Sequence, residues 1–161
     1  MIIRPQPLTK IAFEPFGDVL ETSGVTAESI NQGNTQKFTG LANITLGDDG
    51  HVQFSIYRSQ AIELPFRIHC MERHPLGSQV FYPLHNRPFP VVVALPDIIP
   101  GVADIRVFLT NGRQGVNIHP GVWHHYQLSL ELESEYIVID RAGPGKNCDE
   151  QQLDEEVSLR L

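Results

Sequence analysis

The sequence of 161 residues is poor in several features that mark common classes of protein. Its two cysteines, Cys70 and Cys148, show neither zinc-ligand spacing nor the density of a disulfide framework, and this fits a reducing cytoplasm. No apolar run approaches the ~20 residues of a membrane-spanning helix. The opening MIIRPQPLTK lacks the apolar core and the cleavage site of a secretory signal. We therefore expect a cytoplasmic protein with no membrane partner.

Basic charge is also scarce. The chain has 12 basic and 19 acidic residues and a net charge of −7, so we do not expect a nucleic acid as a partner. The acidity is concentrated at the C-terminal end, where the closing DEQQLDEEVSLRL predicts a solvated helix or tail. A P-loop, a dinucleotide-binding glycine motif and a G-x-S-x-G elbow are all absent, so no organic cofactor is expected.

Short apolar segments separated by turn residues fill most of the chain. With 13 glycines and 12 prolines, this pattern is typical of an antiparallel sandwich, barrel or jelly roll. The only early helix predicted is Thr9–Phe13, with Thr9 as its cap, and Gly47–Gly50 predicts a hairpin turn. The length fits one domain, residues 1–161. The predicted strands are 41–46, 52–57, 66–71, 79–84, 90–95, 105–109, 116–119, 123–129 and 135–140.

Two clusters of polar residues stand out against this background. On a strand, Glu72 and His74 lie two residues apart and share one face, whereas Arg73 points to the other. The same alternation places His124 and His125 on opposite faces, so only one of them lines a given pocket.

The spacing within these clusters resembles that of cupins. Glu72-x-His74-x4-Gln79 has the spacing of the first cupin motif, and Pro120-Gly121-x-x-His124 is similar to the end of the second. The resemblance implies an all-β, cupin-like β-barrel or jelly roll with short peripheral helices, whose interior holds the functional site.

A narrower resemblance covers the chain from about residue 8 to Asp149. The segments that carry it occur in order and at close to the expected spacing, and the chain is thereby identified as a member of the ureidoglycolate lyase family, formerly described as hydrolases. These segments are Ile30-Asn-Gln-Gly33, Ser55-Ile-Tyr-Arg58, Glu72-Arg-His-Pro-Leu-Gly-Ser-Gln79, Thr110-Asn-Gly112, Gly115-Val-Asn, Val122-Trp-His-His125 and Ile139-Asp-Arg141.

The resemblance implies an enzyme of allantoin breakdown that eliminates urea from ureidoglycolate and leaves glyoxylate. This step needs a base for the hydroxyl proton and an acid for the departing nitrogen, and histidine suits either task near neutral pH. His74 and His124 are the candidates, with Glu72 as the partner that orients or tunes one of them. The resemblance also implies a homodimer.

Four further residues are candidates for binding the substrate. An arginine binds a carboxylate with two parallel hydrogen bonds, and Arg58 or Arg73 is expected to do so here. Alternation favours Arg58, because it shares a face with Phe54 and Ile56, which we expect to point into the barrel. The other two candidates, for the urea portion of the substrate, are Gln79 and Asn111.

The same side chains also form a candidate metal site. Glu72, His74, Gln79 and His124 together suit a first-row divalent ion, and the family resemblance implies nickel above others. A metal centre and a metal-free acid–base site use the same groups, and the sequence does not choose between them.

Two other functions are compatible with a cupin barrel. One is a non-catalytic module that binds a small carboxylate or a sugar and regulates transcription, although no helix-turn-helix region accompanies the barrel. The other is a metal-dependent cupin dioxygenase or isomerase, which usually keeps the His-x-His-x4-Glu set with fewer substitutions than this chain shows.

Overall fold

The structure is a computed structural model that describes residues 1–161, and strands dominate it. The first seven strands are β1 (Ile2–Ile3), β2 (Gln6–Pro7), β3 (Gly17–Leu20), β4 (Glu28–Ile30), β5 (Thr35–Lys37), β6 (His51–Ser59) and β7 (Phe66–Arg73). The other seven are β8 (Gln79–Pro83), β9 (Pro90–Ala94), β10 (Arg106–Leu109), β11 (Gly115–Ile118), β12 (Trp123–His124), β13 (Ser134–Ala142) and β14 (Asp149–Leu159).

Helices are confined to three short pieces. The helix α1 (Lys10–Phe13) begins where predicted, and the Thr9 hydroxyl caps it by accepting a hydrogen bond from the Ala12 amide at 3.2 Å. Two 3₁₀ turns occupy Asn31–Gly33 and Val102–Asp104. None of these helices has the length and apolar character needed to cross a membrane.

The strands form two main sheets and one small hairpin. The seven-stranded sheet has the order β1-β14-β7-β12-β9-β10-β2, and the five-stranded sheet has the order β3-β11-β8-β13-β6. The hairpin pairs β4 with β5. Most pairings are antiparallel, which accords with the short connections between strands. The predicted all-β, cupin-like fold is confirmed.

The main apolar core contains residues from both sheets. Val91 and Val93 of β9 contribute from the larger sheet, while Phe81 of β8 and Val138 of β13 contribute from the smaller one. All four are buried and belong to a single cluster of 14 residues, so these faces of the two sheets are packed together. A side chain that shares a face with this cluster is therefore inside the barrel.

The other face of the seven-stranded sheet is also covered. Val92 and Ala94 alternate with the core residues of β9 and belong to a second cluster, which includes Trp123, Val157 and Leu159. Because both of its faces are buried, β9 is a continuous apolar run, as its sequence PVVVA shows.

The segment 41–46 is not a strand, although its apolar pattern predicted one. Its backbone is held by side chains instead: the Thr45 amide donates to Ser78 Oγ, and the carbonyl oxygens of Asn43 and Leu46 accept from the side chains of Asn117 and Arg141. These bonds replace a strand ladder, so the predicted hairpin at Gly47–Gly50 is also wrong.

The acidic C-terminal segment is a strand, and the prediction of a solvated helix or tail is wrong. β14 lies between β1 and β7, and a register irregularity interrupts its pairing with β7 between Gln152 and Val157. Its apolar residues Val157 and Leu159 alternate with polar ones and are fully buried. The acidic side chains of Asp154, Glu155 and Glu156 are exposed on the same strand, because they lie in the stretch where its pairing with β7 is interrupted.

Truncation of Leu159 tests the structural role of this strand. We expect Leu159→Ala to lower the free energy of unfolding by about 2–5 kcal/mol, since it leaves a cavity in a fully buried position. Leu161→Ala, two residues away at a half-exposed position, is the matched control and should change stability little. Urea denaturation compares the two, and equal stabilities would contradict the burial of β14.

Candidate active site

Strand register places Glu72 and His124 inside the barrel. His124 of β12 lies directly opposite Glu72 of β7 on one side and opposite Val93 of β9 on the other. Directly opposed residues share a face, and Val93 belongs to the core between the sheets. His74, just beyond the end of β7, brings its ring to 5.0 Å from that of His124, measured between centroids. The sequence prediction that these three residues converge is confirmed.

The three side chains present their free atoms to one another. One donor atom from each lies within 4.8 Å of the others, and His124 Nε2 is 3.6 Å from Glu72 Oε1. His74 Nδ1 donates to the Asn147 carbonyl at 2.7 Å, and His124 Nδ1 donates to the Val122 carbonyl at 3.1 Å. Because each Nδ1 carries the ring proton, each Nε2 presents a lone pair to the cluster.

Burial sets the charge states of the cluster. His124 is 1% exposed, and burial together with the neighbouring His74 lowers its pKa to about 3, so the ring is neutral at pH 7. The 3.6 Å approach to Glu72 is therefore not an ion pair. Burial raises the pKa of Glu72, His74 opposes this shift, and the acidic Glu150, opposite Glu72 in the register, adds to it.

This arrangement fits a divalent cation. The Nε2 atoms of His74 and His124 are both buried and have no hydrogen-bond partner. Three donor atoms that converge in this way, with two imidazole nitrogens among them lacking a hydrogen-bond partner, form a site that a bound cation would satisfy. They are also an accepted donor set for first-row metals. Glu72, His74 and His124 are the residues that would hold the ion.

A second polar pair lies inside the barrel on the smaller sheet. Gln79 of β8 lies opposite the core residue Ile118, and Asp140 of β13 follows the core residue Val138 by two positions, so both point inward. Gln79 Nε2 donates to Asp140 Oδ2 at 3.3 Å. Gln79 Oε1 and Asp140 Oδ1 are both buried and have no partner.

Tyr57 is a further polar side chain on the inner face of the smaller sheet, 39% exposed, and it is distinct from Glu72, His74 and His124, which we call the metal-type cluster. It lies on β6 opposite the buried Tyr136, so its ring faces inward and packs on Phe81 with 6.1 Å between ring centroids. Burial raises the pKa of Tyr57, and the negative charges of Asp140 and Glu72 raise it further. The phenol therefore keeps its proton at neutral pH.

Arg73 points away from the cluster, as alternation predicted, and it is not available to a substrate. Its guanidinium donates to Asp149 Oδ2 at 3.1 Å and to the Pro96 carbonyl at 3.2 Å. It also lies 4.6 Å from the centroid of the Trp123 ring. Arg73 therefore fastens β7 to β14 and to the loop after β9.

The prediction that Arg58 points into the barrel is wrong. Arg58 lies opposite Glu135 on β13 and donates to its carboxylate at 2.8 and 2.9 Å in an exposed ion pair. Phe54 and Ile56 do share its face, as predicted, but they are 62% and 51% exposed. That face is the outside of the sheet, because the alternate residues of β6, such as Tyr57, face the core.

Asn111 is likewise separate from the cluster. It follows β10, whose last residue, Leu109, pairs with Pro90 at the start of β9, whereas His124 pairs with Val93 towards the other end. Asn111 Oδ1 accepts from the Arg113 amide at 2.9 Å, so the side chain shapes its own loop. Its predicted contact with the substrate is not supported by this position.

Three residues of the site were missed in the sequence. Asp140 and Tyr57 each lie two positions from another inward-facing residue of the same strand, so strand alternation could have predicted their direction. That prediction requires knowing which face of the strand is inside. Asn147, whose carbonyl orients His74, lies in a loop and carries no local signal.

The fold and the cluster together define a cupin-like barrel with an interior candidate site for a divalent metal. The chain belongs to the ureidoglycolate lyase family, whose sequence model matches residues 1–160, and this confirms the membership predicted from the motifs. It is similar to the ureidoglycolate lyase of Pseudomonas aeruginosa, with 49% identity over 99% of this chain and 95% of the relative. The ureidoglycolate lyases of Pseudomonas entomophila and Stutzerimonas stutzeri are each 48% identical over 97% of this chain, and the match covers 94% and 92% of those relatives.

Proposed function

We propose that this protein is a ureidoglycolate lyase that eliminates urea from ureidoglycolate and releases glyoxylate, in the breakdown of allantoin. The observation that carries the proposal is the cluster of Glu72, His74 and the buried His124 inside a barrel that belongs to this family. Family membership favours this activity over a carboxylate- or sugar-binding module and over a cupin dioxygenase or isomerase. A cytoplasmic location is part of the proposal and accords with the two unpaired cysteines.

Glu72, His74 and His124 hold a divalent ion in this proposal, and family resemblance favours nickel. When bound, such an ion supplies the positive charge that the substrate carboxylate requires and lowers the pKa of the adjacent hydroxyl. No arginine of the predicted pair is free to supply that charge, since Arg58 is on the outside and Arg73 is bound to Asp149. We assign Gln79 to the substrate, because the donor atoms that converge on one point are those of Glu72, His74 and His124, while Gln79 is bonded to Asp140 on the smaller sheet.

Two protons move in the reaction. The hydroxyl O–H bond breaks, a carbonyl forms at the same carbon, the bond to the ureido nitrogen breaks, and that nitrogen takes up a proton. Glu72 is the acceptor that we assign to the hydroxyl proton: one of its two carboxylate oxygens would hold the ion, and the other is left to accept the proton of a hydroxyl whose pKa the ion would lower. Tyr57 is the donor that we assign to the nitrogen, since its inward-facing phenol keeps its proton.

The products of the reaction test this proposal. The purified protein, incubated with ureidoglycolate and a divalent metal, is expected to release urea and glyoxylate in equal amounts. A hydrolase acting on the ureido group would instead release ammonia and carbon dioxide. Absence of urea, or ammonia in its place, would refute the elimination.

A homodimer is the assembly that we propose, and the outer face of the five-stranded sheet is the surface that we assign to it. Ile56 lies opposite Ile137 and Phe54 lies opposite Ile139, so these side chains form one continuous apolar surface. Val52 and Tyr82 lie on the same sheet and are 54% and 39% exposed. A contiguous exposed apolar surface marks an interaction site, and β6 also leaves an unpaired strand edge beside it. We call this surface the apolar sheet face; its members are Val52, Phe54, Ile56, Tyr82, Ile137 and Ile139.

Charges placed on the apolar sheet face should dissociate the dimer. We expect the wild type to sediment at twice the chain mass of 18.1 kDa, and the double variant Phe54→Glu/Ile56→Glu to sediment as a single chain, because burying two carboxylates is costly. Ile11→Glu, at an 89% exposed position on α1, is the control and should remain dimeric. A wild type that sediments at 18.1 kDa at micromolar concentration would contradict the assignment.

A further inference from the structure

Gln79 and Asp140 are joined by a hydrogen bond, and each side chain keeps one polar atom without a partner. Both of these atoms are hydrogen-bond acceptors. The bond from Gln79 Nε2 to Asp140 Oδ2, 3.3 Å long, joins the two side chains and fixes the orientation of the amide. It leaves Gln79 Oε1 and Asp140 Oδ1 as the remaining acceptors of the bonded pair, both buried and both without a donor. Buried acceptors without a partner are rare in proteins, so this pair calls for an explanation.

The pair belongs to the same interior as the metal-type cluster. Gln79 is 5% exposed and shares the inward face of β8 with Phe81, while Asp140 shares the inward face of β13 with Val138. Gln79, at the start of β8, lies only five positions along the chain from His74, which follows β7, so the cluster and the pair lie near each other on facing sheets of the barrel. A small molecule bound at the cluster therefore meets the Gln79–Asp140 pair on its other side.

The chemistry of the two free atoms specifies the ligand. Both accept hydrogen bonds and neither donates, so the ligand must bring at least two N–H or O–H donors on one edge. The carboxylate of ureidoglycolate has none, and its hydroxyl has one. A ureido group has an N–H on each of its two nitrogens, and both point to the same edge, opposite the carbonyl oxygen. It is the only part of the substrate that offers two donors to two acceptors held in one bonded pair.

We infer that Gln79 Oε1 and Asp140 Oδ1 accept hydrogen bonds from the two ureido nitrogens of the substrate, and that Asp140 makes the site selective for ureido compounds. This inference rests on the proposed function and adds to it a binding residue on the side opposite the metal-type cluster. The bond between Gln79 and Asp140 holds both acceptors in place before the substrate arrives, which reduces the entropy lost on binding. Such contacts act mainly on affinity, because the N–H groups are present in the substrate from the start.

Asp140→Asn tests the inference, because it preserves the size of the side chain and removes one acceptor. We expect KM for ureidoglycolate to rise by about 10–100-fold with a smaller change in kcat. Binding of ureidoacetate, which keeps the ureido group and the carboxylate but lacks the hydroxyl, should weaken by a similar factor in calorimetry. Glyoxylate, which has no ureido group, should bind as tightly as to the wild type, and the metal content should not change. Asp154→Asn, at an exposed position of β14, is the matched control and should alter none of these values.

Gln79→Met supplies a second variant should Asp140→Asn fail to fold. It removes the other acceptor with little change in volume. It should weaken the binding of ureidoacetate while leaving the binding of glyoxylate and the metal content unchanged. Equal affinity for ureidoacetate in variant and wild type would overturn the inference. So would a loss of affinity for glyoxylate as large as the loss for ureidoacetate, since that result indicates a structural role. The binding of ureidoacetate needs no turnover, so a wild type that binds it but releases no urea would refute the proposed function and leave the inference standing.

Discussion

Replacing His124 by alanine is expected to lower kcat/KM for ureidoglycolate by about 10²–10⁴-fold. The ring lies 1% exposed at the centre of the cluster, and its Nε2 is one of the three atoms that face each other there. Loss of a group that binds a metal or moves a proton has an effect of this size. The variant should also bind less metal than the wild type, and urea release together with metal analysis measures both losses.

His125→Ala is the control for this experiment. His125 is also buried, and burial lowers its pKa to about 4, but it lies on the opposite face and packs against Phe66 with 5.4 Å between ring centroids. We expect this variant to lose stability while its kcat/KM stays within about threefold of the wild type. A His124→Ala protein with near-normal turnover would remove His124 from the site.

Removal of the metal is expected to reduce turnover by a factor comparable to that expected for His124→Ala. Dialysis against a chelator should reduce urea release by about 10²-fold or more, and addition of nickel should restore it, because the elimination would otherwise lack the positive charge that the cluster is built to hold. The apoprotein should also unfold at a lower temperature, since a ligand that binds only the folded state stabilises it.

A pair of acidic residues provides the control for the metal experiment. Glu72→Gln should weaken nickel binding, whereas Glu150→Gln should not, although Glu150 lies directly opposite Glu72 on β14. Only Glu72 belongs to the group of converging donor atoms. A chelated protein that keeps full activity would contradict the metal site and support a metal-free acid–base mechanism on the same side chains.

The candidate site could be predicted from the sequence because its geometry is local. Glu72 and His74 lie two positions apart at the end of one strand, so alternation places them together, and the motif that ends in His124 brings in the third residue. The same alternation placed Arg73 on the other face, where the structure also has it.

The failure at Arg58 shows the limit of that argument. Alternation correctly grouped Arg58 with Phe54 and Ile56, but it does not say which of the two faces of a strand is inside. The more apolar face of β6 is the exposed one, because β6 is an edge strand whose inward positions include Ser55 and Tyr57. An exposed apolar face and a core face have the same pattern in the sequence.

Contacts with residues distant in the sequence explain the two errors in the predicted secondary structure. The segment 41–46 is apolar enough for a strand, yet side chains such as Ser78 and Asn117 take its backbone hydrogen bonds. The C-terminal segment is acidic enough for a solvated tail, yet Val157 and Leu159 anchor it beside β7. Both outcomes depend on residues distant in the sequence, which local propensity does not contain.

The most direct test of the account is the rate of urea release by the double variant His74→Ala/His124→Ala. If both histidines serve one centre, either single substitution already destroys it, so the loss in the double variant should be about as large as the loss in a single variant. Circular dichroism should show the strand-rich fold retained. A double variant that releases urea within tenfold of the wild-type rate, or whose loss is the product of the two single losses, would contradict a shared catalytic centre.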